Sequence, residues 1–103
     1  MQHTLAQPIR CNGISLHKGE HVQMSLHPAP AGHGIVFKRT DIDDVEAALI
    51  PALYHQVVDT RLCTVLENPY GVRVNTVEHL MAALWGCGVD NALIELDGPE
   101  VPV

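Results

Sequence analysis

The sequence predicts an α+β fold: a mostly antiparallel sheet with one main helix packed on one face. Three observations carry that reading. Residues 20–27 alternate strictly, with Val22, Met24 and Leu26 on one side and His21, Gln23, Ser25 and His27 on the other; period two with one polar face is the pattern of a half-buried strand. Residues 76–86 carry the clearest helical periodicity in the chain. The order along the chain is several strands, one helix, then a strand, which segregates the element types instead of alternating them.

Taken in order, residues 4–10 read as a first strand, ending at a Cys11-Asn12-Gly13 turn. Ile14-Ser15-Leu16 is short and extended, and His17-Lys18-Gly19 reads as a turn before the alternating strand. Residues 28–34 are a Pro/Gly-rich loop. Residues 35–39 (Ile-Val-Phe-Lys-Arg) form the next strand, and Asp41, Asp43, Asp44 and Glu46 read as a solvated acidic loop. Residues 49–59 are ambiguous, although Pro51 argues against a helix through them. Residues 62–66 and 72–74 read as a strand pair around the Asn68-Pro69-Tyr70-Gly71 turn. Asn75 or Thr76 can cap the helix, and Gly88 can end it in the left-handed conformation. Residues 92–96 are another strand, Asp97-Gly98-Pro99 turns the chain, and Glu100-Val101-Pro102-Val103 follows.

The 103 residues fit one domain or part of one. A chain of this size buries roughly 65% of its extended surface, enough for one modest core. Aromatics are only 4%, so aliphatic packing must dominate it. Twelve acids against six bases leave a net charge of −6 with no basic cluster, so nucleic acid is excluded as an expected partner. A phosphorylated small molecule is not, because a helix N-terminus and one or two bases can hold it. Cys11, Cys63 and Cys87 are an odd number without CxxC spacing; neither a disulfide framework nor a zinc ribbon fits, and a reducing compartment does. No basic-then-apolar N-terminus marks a signal peptide, and no apolar stretch reaches the ~18 residues that span a bilayer. A cytoplasmic protein without a transmembrane segment is expected.

The helix carries the chemistry. At about 100° per residue, Val77, Leu80, Met81 and Leu84 form one stripe that should pack on the sheet, while Glu78, His79, Ala82, Ala83 and Gly86 fall on the other side. A free surface helix would show Lys, Glu or Gln there. Two polar residues followed by small ones point instead to a helix covered on both faces, with Glu78 and His79 directed into the gap. Bland alternatives stand beside this one. Asn75-x-x-Glu78 fits a capping box, an acid in the first turn suits the helix dipole, and a lone histidine is more often structural than a ligand. His17 and His21 are separated by a predicted turn, and His21 and His27 share a strand face too far apart to chelate one ion. Cys63 reads as a small buried strand residue.

The stretch Asn75-Thr76-Val77-Glu78-His79-Leu80-Met81-Ala82-Ala83-Leu84-Trp85-Gly86-Cys87-Gly88-Val89-Asp90-Asn91, with Ile94-Glu95 and Pro99-Glu100-Val101-Pro102, closely resembles the UDP-3-O-acyl-N-acetylglucosamine deacetylases, zinc enzymes of lipid A synthesis. Gly13-Ile14-Ser15-Leu16-His17-Lys18-Gly19 and Asp59-Thr60-Arg61-Leu62-Cys63-Thr64 agree, except that Lys18 stands where a small hydroxyl residue is commoner. The resemblance implies two similar domains, each a sheet with helices on one face, joined as a β-α-α-β sandwich with the active site at the junction. It implies His79 as a zinc ligand, Glu78 as the general base, and Leu62 and Cys63 close to the substrate, Cys63 without ligating the zinc. The substrate class is a UDP-linked acylated amino sugar, whose 2-acetamido group is hydrolysed with release of acetate.

Set against that pattern, residues 1–103 are expected to be an incomplete N-terminal domain lacking its second helix, with the second domain absent. That domain would supply the other two zinc ligands, a histidine and an aspartate four residues apart on a helix, together with a lysine, a second catalytic histidine and the acyl-chain passage. One imidazole cannot hold catalytic zinc, which takes about three protein ligands, so the isolated chain is expected to be inactive. Two rival readings differ in kind: a non-catalytic truncated module that pairs with another chain, and a small α+β nucleic-acid-binding domain, which the charge of −6 opposes.

Overall fold

The computed structural model describes residues 2–14, 19–52, 57–59 and 64–102. Five strands make the larger sheet: β1 (Ile9–Ile14), β2 (His21–Pro28), β3 (Ile35–Arg39), β4 (Leu49–Pro51) and, from much later in the chain, β8 (Ala92–Leu96). Their spatial order is β1-β2-β8-β3-β4, antiparallel except for the β3–β8 pair. A smaller antiparallel sheet holds β5 (Val57–Asp59), β6 (Thr64–Glu67) and β7 (Arg73–Asn75) in that order. Among the described residues there are two helices: α1 (Val45–Ala48), a single turn, and α2 (Glu78–Gly86). The predicted α+β class with one main helix is the observed one.

Strand register builds the core. Met24 stands opposite Leu96 and Leu26 opposite Ile94 on the β2–β8 ladder; Phe37 pairs with Ile94 on one side and Ile50 on the other. Because side chains alternate across a sheet, this places Val22, Met24, Leu26, Phe37, Ile50, Ile94 and Leu96 on one face. Leu66, Val74, Val77, Leu84 and Val101 join them in one buried apolar cluster, so the small sheet and α2 close over that face. The opposite face carries Gln23, Ser25, His27 and Glu95, with His27 Nε2 2.7 Å from Glu95 Oε1.

Several local expectations are corrected by long-range pairing. The first strand runs through Cys11-Asn12-Gly13 instead of turning there, because Cys11 pairs with Met24 and Gly13 with Val22. Thr4 forms only an isolated bridge with Asn91. The acidic run is not simply solvated: Asp44 Oδ1 accepts from the amides of Glu46 and Ala47 (3.0 and 3.2 Å) and caps α1, and Asp41 pairs with Arg39 at 2.6 Å. Pro51 closes β4 at the sheet edge, where its missing N–H costs no ladder bond. Residues 15–18, with the readings placed on Ser15, Leu16, His17 and Lys18, lie outside the described residues.

The turn between β6 and β7 is built around Asn68, which is only 4% exposed. Its side-chain amide donates to the carbonyls of Ala47 (2.8 Å) and Leu49 (2.9 Å). Its Oδ1 accepts from the amides of Tyr70 and Val72, both at 3.0 Å. One side chain therefore ties the hairpin to α1 and β4. Nearby, the Tyr70 hydroxyl donates to Glu46 (3.0 Å), which holds the phenol above its ordinary pKa. Asn68→Ala strips partners from four backbone groups, and a buried group left unsatisfied costs about 1–3 kcal/mol. The substitution is expected to destabilise the fold by at least about 2 kcal/mol, read as a lowered urea midpoint at unchanged slope.

Candidate active site

Glu78 and His79 open α2, and the chain before them is held by β6 and not by a cap. The N-cap is Val77, which makes no side-chain capping bond. Neither Asn75 nor Thr76 caps it: Asn75 pairs through its backbone with the segment after β8, and the Thr76 hydroxyl is committed elsewhere. The Asn75 amide donates to Pro99 O (2.7 Å) and its carbonyl accepts from Val101 N (3.1 Å). The Thr76 hydroxyl donates to Glu100 Oε2 at 2.6 Å. Thr76 itself sits at φ +62°, a conformation rare for a β-branched residue and costing about 1–3 kcal/mol. The amides of Thr76 and Val77 both donate to Thr64 O (2.9 and 3.3 Å), and the Thr64 amide donates to Glu78 Oε2 (3.4 Å). The capping-box alternative for Glu78 therefore fails, since the Asn75 N–H it would need is already bonded to Pro99.

The other end of α2 closes as read from the sequence. Gly88 is left-handed (φ +72°); its amide donates to Trp85 O and that of Val89 to Leu84 O, the paired bonds of a Schellman motif. Val77 and Leu84 are buried, and Leu80 and Met81 pack against the core, so the predicted stripe is the packed one. His79, Ala82, Ala83 and Gly86 are exposed. The face read as covered on both sides is therefore open in this chain. Trp85 is 87% exposed.

Between α2 and the two sheets runs a groove of about 590 Å³, lined by Ile35, Leu66, Met81, Leu84, Trp85 and Val89, with Glu78 in its wall. Glu78 Oε1 is buried and has no hydrogen-bond partner among the described residues. A carboxylate oxygen shielded from water without a donor is costly, so its position is not explained by stability. One residue on, the His79 imidazole is exposed and available as a ligand.

Of the sequence-predicted site residues, Glu78 stands in the groove wall and the adjacent His79 is exposed outside it. Leu62 and Cys63 lie outside the described residues. His21 and His27 belong to the sheet face turned away from α2. Among the described residues no group of three or more His, Cys, Asp or Glu could hold a metal ion. Sequence reasoning missed the roles of Thr64, Thr76 and Glu100. Thr76 and Glu100 are 24 positions apart, and no local pattern joins them.

Residues 2–103 match the family described as UDP-3-O-acyl N-acetylglycosamine deacetylase. Similar proteins carrying the name UDP-3-O-acyl-N-acetylglucosamine deacetylase include one from Myxococcus xanthus, 56% identical over 102 residues. Another is from Idiomarina loihiensis, 53% identical over 102 residues. A third is from Neisseria meningitidis, 48% identical over 103 residues. These alignments cover 99%, 99% and 100% of this chain and 32%, 33% and 34% of the relatives. The chain thus spans about a third of the length of the curated relatives it matches.

The stability role of Glu78 can be separated from a chemical one. Its charge at the helix N-terminus is worth about 0.3–1 kcal/mol, whereas its unpartnered oxygen costs about 1–3 kcal/mol. Glu78→Gln is therefore expected to leave thermal stability unchanged or to raise it by up to about 2 kcal/mol. A loss of more than about 1 kcal/mol in calorimetry would show that the carboxylate holds the fold.

Proposed function

Because the chain belongs to the UDP-3-O-acyl-N-acetylglucosamine deacetylase family, we propose that it is the N-terminal part of a zinc-dependent deacetylase. The whole protein hydrolyses the 2-acetamido group of a UDP-linked, 3-O-acylated amino sugar and releases acetate, in the cytoplasm and toward lipid A. The observation that carries the site assignment is the buried, unpartnered Glu78 Oε1 one residue from an exposed imidazole on the first turn of α2. With Oε2 bonded to the Thr64 amide at 3.4 Å, Oε1 is the oxygen left to accept a proton.

Amide hydrolysis at neutral pH needs an activated water, a stabilised oxyanion and a proton for the departing nitrogen. Glu78 is the general base: it takes a proton from the attacking water as that water adds to the acetyl carbonyl. The proton then becomes available to the amine as the C–N bond breaks. Zinc, when bound, supplies Lewis-acid polarisation and lowers the pKa of water to about 7. His79 is the one ligand this chain contributes, and the two others come from the remainder of the protein, whose ligand-bearing helix would lie across the open face of α2. Leu62 and Cys63 belong on the substrate side of the site in this proposal. The apolar groove and the exposed small-residue face of α2 support an active site formed at a junction between two lobes.

In the full-length protein, Glu78→Gln is expected to lower kcat by about 10²–10⁴-fold, the range for loss of a general base, with bound zinc retained. His79→Ala is expected to lose the zinc together with activity. The 103-residue chain alone is expected to show no deacetylase activity and no stoichiometric zinc. Metal analysis finding one tightly held zinc in that chain, lost on His79→Ala, would overturn the two-lobe assignment.

A further inference from the structure

We infer that Thr76 and Glu100 are positioning residues for Glu78 and His79, an inference that rests on the active-site reading above and adds two residues to it. The direction in which α2 leaves β7 is set by the backbone at Thr76. A left-handed conformation there redirects the chain so that the first helical turn begins two residues later, with Glu78 in the groove wall. The two ends of α2 make an instructive contrast. At its C-terminus the left-handed position is filled by Gly88, which adopts φ +72° without steric cost. At its N-terminus the same conformation is imposed on threonine, whose branched side chain opposes it. A glycine would serve the turn alone; the threonine adds a hydroxyl.

That hydroxyl is bonded to a carboxylate. Thr76 Oγ1 donates to Glu100 Oε2 at 2.6 Å, the residues being 6% and 1% exposed. The bond is short, and burial shields it from competing water. Glu100 is itself held in place by the Asn75–Glu100 bridge, with its flanking Asn75–Pro99 and Val101–Asn75 backbone bonds. On the far side, Thr64 O receives both the Thr76 and Val77 amides while its own amide reaches Glu78. The turn is thus gripped from β6 by backbone and from the segment after β8 by a side chain. Neither Thr76 nor Glu100 lines the groove, so both act through the residues that follow them.

The test uses the full-length protein with Thr76→Gly, Thr76→Ser and Glu100→Gln. Thr76→Gly removes the hydroxyl and the steric strain together. It is expected to lower kcat at least about 10-fold, because small displacements of reacting groups are costly, with KM within about twofold. Thr76→Ser, which keeps the hydroxyl, should restore kcat to within about threefold. Glu100→Gln, which keeps the shape and weakens the bond, should fall between them. Full kcat in Thr76→Gly, with stability unchanged or raised, would overturn the inference, as would a kcat in Thr76→Ser as low as that of Thr76→Gly. Crystal structures supply a readout independent of activity: Thr76→Gly should leave the left-handed region or shift the Glu78 carboxyl, and an unmoved Glu78 refutes the positioning role. A wild-type protein without deacetylase activity would sink the active-site reading, while the crystal structures would still decide this one.

Discussion

At the junction of β7 and α2, three distant parts of the chain meet on two residues. Thr76 and Val77 give their amides to Thr64 on β6, and Thr76 gives its hydroxyl to Glu100 beyond β8. The Asn75–Glu100 bridge closes the set. A helix of nine residues is marginal by propensity alone, so α2 depends on such anchors and on its buried stripe for its existence and its aim. The strained backbone at Thr76 persists because these contacts over-determine it. Glu78 and His79, the candidate site residues of α2, follow two and three positions after Thr76.

The same junction explains an apparent inefficiency of the fold. A domain optimised for stability would give Glu78 a second donor and cover Trp85. Here the carboxylate keeps one oxygen buried without a partner, and the chain's one tryptophan stands in solvent beside an apolar groove. Both costs fall at the groove, while the stripe of Val77 and Leu84 is conventionally buried and His79, Ala82, Ala83 and Gly86 are exposed. The asymmetry is that of a helix with one finished face and one face prepared for further chemistry. On the proposed reading, the remaining two thirds of the protein complete that face.

Much of this architecture was legible in the sequence. Strict alternation marked β2, because one-sided burial leaves a period-two imprint, and the short apolar run opening Ile-Val-Phe-Lys-Arg was β3 to the residue. Gly88 announced the end of α2 for an equally local reason, its freedom at positive φ. Local reading failed where a distant partner outbid a local preference. Cys11-Asn12-Gly13 has the composition of a turn, yet Met24 and Val22 draw it into a ladder. Thr76 has the chemistry of a helix cap, yet Glu100 claims its hydroxyl first.

The candidate site divides along the same line. The identity of the acid and the imidazole, their adjacency and their place in the first turn of a helix followed from the sequence, since 3.6-residue periodicity and the motif around them are properties of a contiguous segment. That Glu78 Oε1 would be sealed without a donor, that Thr64 would reach its other oxygen, and that Glu100 would lock the turn were decided by tertiary structure. Those contacts join residues brought together by strand order and register, and no single segment encodes which strand will become its neighbour.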